Sequence, residues 1–177
     1  APVSSLHEMM TCTSSNDNVV DQKKLIGISA SVVTLSDRVS AGIYADKSGV
    51  FIQGFLKEQG ACVATYKVLP DEKNELTEYL LFLCEKEKIP LILLTGGTGL
   101  GPRDVTPEIL QSICTKMIPG VGELLRQHGA KFTQYSWCSR SCAGIYKNSL
   151  LIALPGSLKA VQESLPVLAP LLPHFMK

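Results

Sequence analysis

Residues 90–101 read PLILLTGGTGLG, a short apolar stretch that passes without a break into a loop carrying Gly96, Gly97, Gly99 and Gly101. An apolar run this short, bounded by Pro90 and a glycine cluster, has the length of a buried strand rather than a helix. The glycines allow positive φ angles and let the backbone approach a ligand closely. Just beyond, Asp104-Val105-Thr106-Pro107-Glu108 predicts the start of a helix. Thr106 suits the N-cap, Pro107 the first helical position, and Glu108 the positive end of the dipole. Strand, glycine loop and helix N-terminus together can cradle phosphate, although the same glycines could also serve as a structural turn.

The rest of the chain must fold around that unit. Residues 25–35, LIGISASVVTL, are apolar and β-branched and predict a first strand. A helix is predicted over 46–59, where Val50, Phe51, Phe55 and Leu56 fall at helical spacing and Gly60 stops the pattern. Residues 62–69, CVATYKVL, predict a second strand, followed by a helix with Leu76, Leu80, Leu83 and Cys84 on one face. After the glycine loop come a helix from 119 to 127 stopped by Gly129, strands over 133–138 and 150–154, and a last helix near 159–164. Strands alternating with helices imply an α/β fold in which a mostly parallel sheet is covered on both faces.

With 177 residues the chain is expected to form one domain over 23–177, preceded by a polar tail over 1–22. Its net charge of +1 provides no general attraction for nucleic acid or a membrane surface. No signal-peptide pattern and no apolar stretch of membrane-spanning length is present, so the expected location is the cytoplasm. Six cysteines without a CxxC pair read as reduced thiols. Cys138 and Cys142 have no histidine near them in sequence to complete a metal site.

The loop is not a P-loop, because no lysine follows its glycines. It is not a dinucleotide fingerprint either, because Pro102 occupies the third glycine position counted from Gly97 and Gly99. Asp71 follows the second strand and Asp104 lies after the third, so a parallel sheet would carry both to its carboxyl edge, where ligands of such sheets gather. Two carboxylates beside a phosphate loop suit Mg²⁺, which combines one or two carboxylates with phosphate oxygens and water. Taken alone, Asp71 reads better as the mere start of the next helix. The first strand ends at the same edge in Ser36-Asp37-Arg38 and the last in Pro155-Gly156-Ser157. Arg38, Arg103 and Arg140 are candidate phosphate contacts.

The fourteen residues TGGTGLGPRDVTPE at 95–108 resemble the signature of the MogA/MoaB family, to which the N-terminal domain of gephyrin is related. Six further marks of that family occur in order: SDR at 36–38, DKSG at 46–49, LPDE at 69–72, PG.GE at 119–123, SR..AGI at 139–145 and LPGS at 154–157. The match departs at Leu158, where many members have proline, and at Tyr146-Lys147, where many have glycine and a basic residue. The start at Ala1 and the short C-terminus resemble members fused to another cofactor-synthesis enzyme. The resemblance implies a three-layer α/β sandwich, assembly as a homotrimer or hexamer, and work alongside other molybdenum-cofactor biosynthesis proteins. It implies Mg²⁺-dependent transfer of AMP from ATP to molybdopterin, with Asp71 and Asp104 as catalytic and metal-binding residues. Ser36, Asp37, Gly96, Gly97, Thr98, Gly99, Pro155, Gly156 and Ser157 would contact the pterin, its phosphate or the nucleotide. Because gephyrin also serves assembly, a non-catalytic pterin-binding or scaffolding domain is the alternative.

Overall fold

The computed structural model describes residues 24–177, so the expected tail over 1–22, with Cys12, lies outside the described residues. Six strands, β1 (Ser29–Leu35), β2 (Cys62–Leu69), β3 (Leu91–Thr95), β4 (Lys116–Met117), β5 (Cys142–Tyr146) and β6 (Ser149–Leu154), form one sheet in the order β2-β1-β3-β6-β5-β4. The four strands from β2 to β6 run parallel, and β5 and β4 complete the sheet antiparallel to their neighbours. Alternate residues of the central strands feed two separate cores. Val32, Leu91, Leu93, Leu150 and Ile152 pack on one face with helices α2 (Lys47–Glu58), α5 (Pro119–Gly129) and α6 (Leu158–Leu168). Val33, Ile92, Leu94 and Leu151 pack on the other with α3 (Lys73–Glu85) and α4 (Thr106–Ile113). Both faces are covered, so the central strands contain no polar stripe. The expected three-layer arrangement is borne out.

Local sequence explains most boundaries. Asp46 caps α2 by accepting the Gly49 N–H at 2.9 Å. In α3, Leu76, Leu80 and Leu83 are fully buried, each contributing about 1.5–3 kcal/mol on leaving water. Short helices α1 (Asp37–Ser40) and α7 (Leu172–Phe175) add to the predicted set. The first strand begins at Ser29 rather than residue 25, because Leu25 to Gly27 form a turn with Gly27 at a φ of 81°.

Two expectations are corrected. Residues 133–138 are not a strand: Gln134–Cys138 is a 3-10 helix, started by the Thr133 hydroxyl accepting the Tyr135 N–H. The sheet position beside β6 is taken instead by β5, which forms a hairpin with it through Lys147 and Asn148. Thr106 is not an N-cap; Val105 occupies that place without a side-chain bond. The buried Thr106 hydroxyl turns inward and donates to the Gly96 carbonyl at 3.0 Å.

Candidate functional site

The glycine loop leaves β3 at the carboxyl edge of the sheet, and its first two glycines have no substitute. Gly96 and Gly97 have φ of 97° and 69°, and a Cβ on either would lie 2.2 Å from the Leu35 carbonyl or the Thr106 hydroxyl, respectively. Among the described residues, the amides of Gly97, Thr98 and Gly99 donate to no protein acceptor. Three successive N–H groups without a protein acceptor are donors that an anion could satisfy. The loop is tied below to the turn after β6: Thr95 Oγ1 donates to the Pro155 carbonyl at 2.6 Å, and the Ser48 hydroxyl of α2 holds the Gly156 carbonyl at 2.8 Å.

The ends of β1 and β2 are clasped by a reciprocal pair. The Asp37 N–H donates to Asp71 Oδ2 at 3.2 Å, and the Asp71 N–H donates to Asp37 Oδ1 at 3.0 Å. Arg103, from the loop, donates to Asp37 at 2.6 Å and to Glu72 at 2.8 Å. These pairs are half-exposed, so they orient the loop more than they stabilise the fold. The Arg103 bond, then the Asp71 amide, hold the Asp37 carboxyl below the ordinary carboxylate value. Asp71 moves the other way. Burial raises its carboxyl, and the charges of Asp37 and Asp104 add to this against the opposing bond from the Asp37 amide.

Asp71 Oδ1 is buried and, among the described residues, has no hydrogen-bond partner. An unpartnered carboxylate oxygen, raised in pKa and close to a second carboxylate, is what a cation would relieve. Mg²⁺ therefore fits Asp71 and Asp104, a set that leaves most ligand positions to water and phosphate. No group of three or more His, Cys, Asp or Glu side chains that could hold a metal occurs among the described residues. Asp104 itself folds over its loop, with Oδ2 accepting the Gly101 N–H at 2.8 Å.

Two cavities of similar size lie on either side of the loop. The first, about 500 Å³, is lined by Ser36, Asp71, Gly96, Gly97 and Asp104 among others. The second, about 490 Å³, takes Thr98, Gly99, Pro155 and Ser157. Gly156 lines both, and Asp37 lines neither, being occupied by Arg103 and Asp71. Sequence reasoning passed over Asp46 and Ser48 in the first cavity and Tyr135, Ser136 and Glu163 in the second. Asp46 and Ser48 stand in the DKSG motif, which was a signal; Tyr135 lay in a stretch read as strand. Of the arginines, Arg38 stacks over Tyr44 with 5.6 Å to the ring centroid, and Arg103 and Arg140 are engaged with protein acceptors. The five described cysteines are unpaired, and burial raises Cys114 to about 12 and Cys142 to about 11, which makes them poor nucleophiles.

Residues 31–174 match the family described as "Probable molybdopterin binding domain". The chain belongs to this family. It is 39% identical over 145 residues to the molybdopterin adenylyltransferase of Helicobacter pylori strain 26695, covering 81% of this chain and 82% of that protein. It is 46% identical over 152 residues to the molybdenum cofactor biosynthesis bifunctional protein of Synechococcus elongatus, covering 86% of this chain but 47% of the relative, so it spans about half that protein. A MoaB structure from Thermus thermophilus superposes with a TM-score of 0.79 at 36% identity, covering 84% of this chain and 94% of that one. The family resemblance read from the motifs is thus borne out, as is the fold that it implied. Among the described residues, no helix is long and apolar enough to cross a membrane.

Proposed function

We propose that this chain transfers AMP from ATP to the terminal phosphate of molybdopterin, releasing pyrophosphate. The observation that carries the reading is the unpartnered Asp71 oxygen beside Asp104, under a loop of free amides set between two cavities. The carboxylate-bearing cavity suits the triphosphate of ATP. The other cavity, with Tyr135 on its wall and Ser136, Ser139 and Glu163 around it, suits a planar heterocycle with hydrogen-bonding edges. A phosphate oxygen of the pterin forms a bond to the α-phosphorus of ATP, and the bond from that phosphorus to the bridging oxygen of pyrophosphate breaks. The amides of Gly97, Thr98 and Gly99 hold the transferring group and stabilise its growing charge, so the protein contributes position and electrostatics. Asp71 and Asp104 would hold Mg²⁺, which would supply charge neutralisation on the phosphates.

Identity to a named adenylyltransferase over most of both chains supports the enzyme over the scaffolding reading. Cytoplasmic location belongs to the same proposal and is supported by the unpaired thiols. So does assembly as a homotrimer or hexamer acting with other molybdenum-cofactor biosynthesis proteins, which is supported by the resemblance and by exposed apolar side chains at Ile43, Tyr44 and Val50. The test is incubation with molybdopterin, ATP and Mg²⁺, with adenylyl-molybdopterin and pyrophosphate as expected products. In parallel, Asp104→Asn should bind the pterin as the parent does yet fail to adenylate it. A parent that binds the pterin and never forms adenylyl-molybdopterin would replace the enzyme reading with the scaffold.

A further inference from the structure

Arg140 stands between the 3-10 helix and β5, outside the glycine loop, yet its hydrogen bonds converge on that loop. Its Nε donates to the Gly99 carbonyl at 2.8 Å, its Nη2 to the Asp104 carbonyl at 2.8 Å, and its Nη1 to the Glu108 carboxylate. Its backbone N–H donates to the Thr98 carbonyl at 2.9 Å. One residue therefore holds three loop carbonyls and the first turn of α4. Every nitrogen of the guanidinium has a protein acceptor, which holds the group against the loop. A planar fork with fixed donor directions can span these acceptors at once; a lysine ammonium on a flexible stem cannot. We propose that Arg140 is a positioning residue for Asp104. By fixing the carbonyl of Asp104 itself and that of Gly99, it sets where the carboxylate stands relative to Asp71 and hence how well the pair holds a divalent cation. The same segment provides Tyr135, Ser136, Cys138 and Ser139 to the second cavity, so the wall of one cavity and the carboxylate of the other share a support.

The consequence for catalysis rests on the adenylyl-transfer reading, but the placement of Asp104 can be measured without it. Full-length parent, Arg140→Lys and Arg140→Ala are compared in three ways: amide exchange of the 98–106 segment, Mn²⁺ affinity by electron paramagnetic resonance, and AMP transfer with the pterin dissociation constant alongside. Both variants should exchange faster at 98–106 and bind Mn²⁺ about tenfold more weakly, while exchange in the sheet stays at the parent's level. Transfer should lose kcat by a larger factor than pterin affinity falls. Unchanged loop exchange and unchanged Mn²⁺ affinity in both variants would overturn the proposal. So would full recovery of both by Arg140→Lys, since charge alone would then suffice. If neither variant folds, Arg140 belongs to the fold as a whole and the proposal falls. A parent that transfers no AMP sinks the adenylyl-transfer reading, while exchange and Mn²⁺ affinity still decide the role of Arg140.

Discussion

At the scale of single residues, Asp71 and Asp37 exchange hydrogen bonds yet titrate in opposite directions. The folded pKa of Asp37 lies below 3.8, so its contribution to stability is present above that value and is lost as pH falls through the depressed pKa. That of Asp71 lies above 3.8, so its ionisation removes stability as pH rises from 3.8 through the raised pKa. Asp71→Asn should accordingly melt at a higher temperature than the parent at neutral pH, a shift that differential scanning calorimetry reads directly. The same variant should lose AMP transfer by a factor on the order of a hundred, the scale of removing one charge-stabilising group. A lower melting temperature with full activity would mark Asp71 as structural. The placement of Asp71 and Asp104 on one cavity was legible in the sequence, because strand ends in a parallel sheet share one edge. The opposite shifts were not, since they depend on the burial of Asp71 and on Arg103 reaching Asp37 across the fold.

At the scale of elements, the junction between the glycine loop and α4 shows where local rules stop. Thr106 has the chemistry of a cap, but burial changes its role: its hydroxyl is the partner of a loop carbonyl that would otherwise be enclosed without one. Thr106→Val keeps the shape and removes the donor, and should cost roughly 1–3 kcal/mol in urea unfolding. An unchanged midpoint would mean that the Gly96 carbonyl finds another partner. The strands β2, β3 and β6 and helices α2 and α3 were legible because each is long or apolar enough to declare its period. The segment 133–138 was not. It mixes Tyr135 and Trp137 with polar residues in a strand-like alternation, and only the Thr133 hydroxyl and the competing β5 hairpin divert it into a 3-10 helix. Arg140 likewise read as a candidate phosphate contact, since nothing local in the sequence reveals that carbonyls at Gly99 and Asp104 lie within its reach.

At the scale of the whole molecule, the proposed assembly predicts a trimer or a dimer of trimers by light scattering at micromolar concentration; a monomer there would remove it and leave the site unaltered. Within one chain, the sheet order brings the turn after β6 against the loop after β3, and both cavities open at that contact. A Cβ on Gly156 would lie 3.2 Å from the Gly96 Cα, so the rim over which the two cavities meet is bare backbone. Molecules held on its two sides have given up independent tumbling, and well-oriented pairs of that kind react as though each met the other at roughly 10⁵–10⁸ M. One methyl group would act as a spacer. Gly156→Ala should therefore leave the dissociation constants of ATP and pterin within about twofold of the parent while kcat drops, a divergence that equilibrium titration and single-turnover kinetics would separate. Equal turnover in that variant would mean that the two ligands meet elsewhere than over this rim.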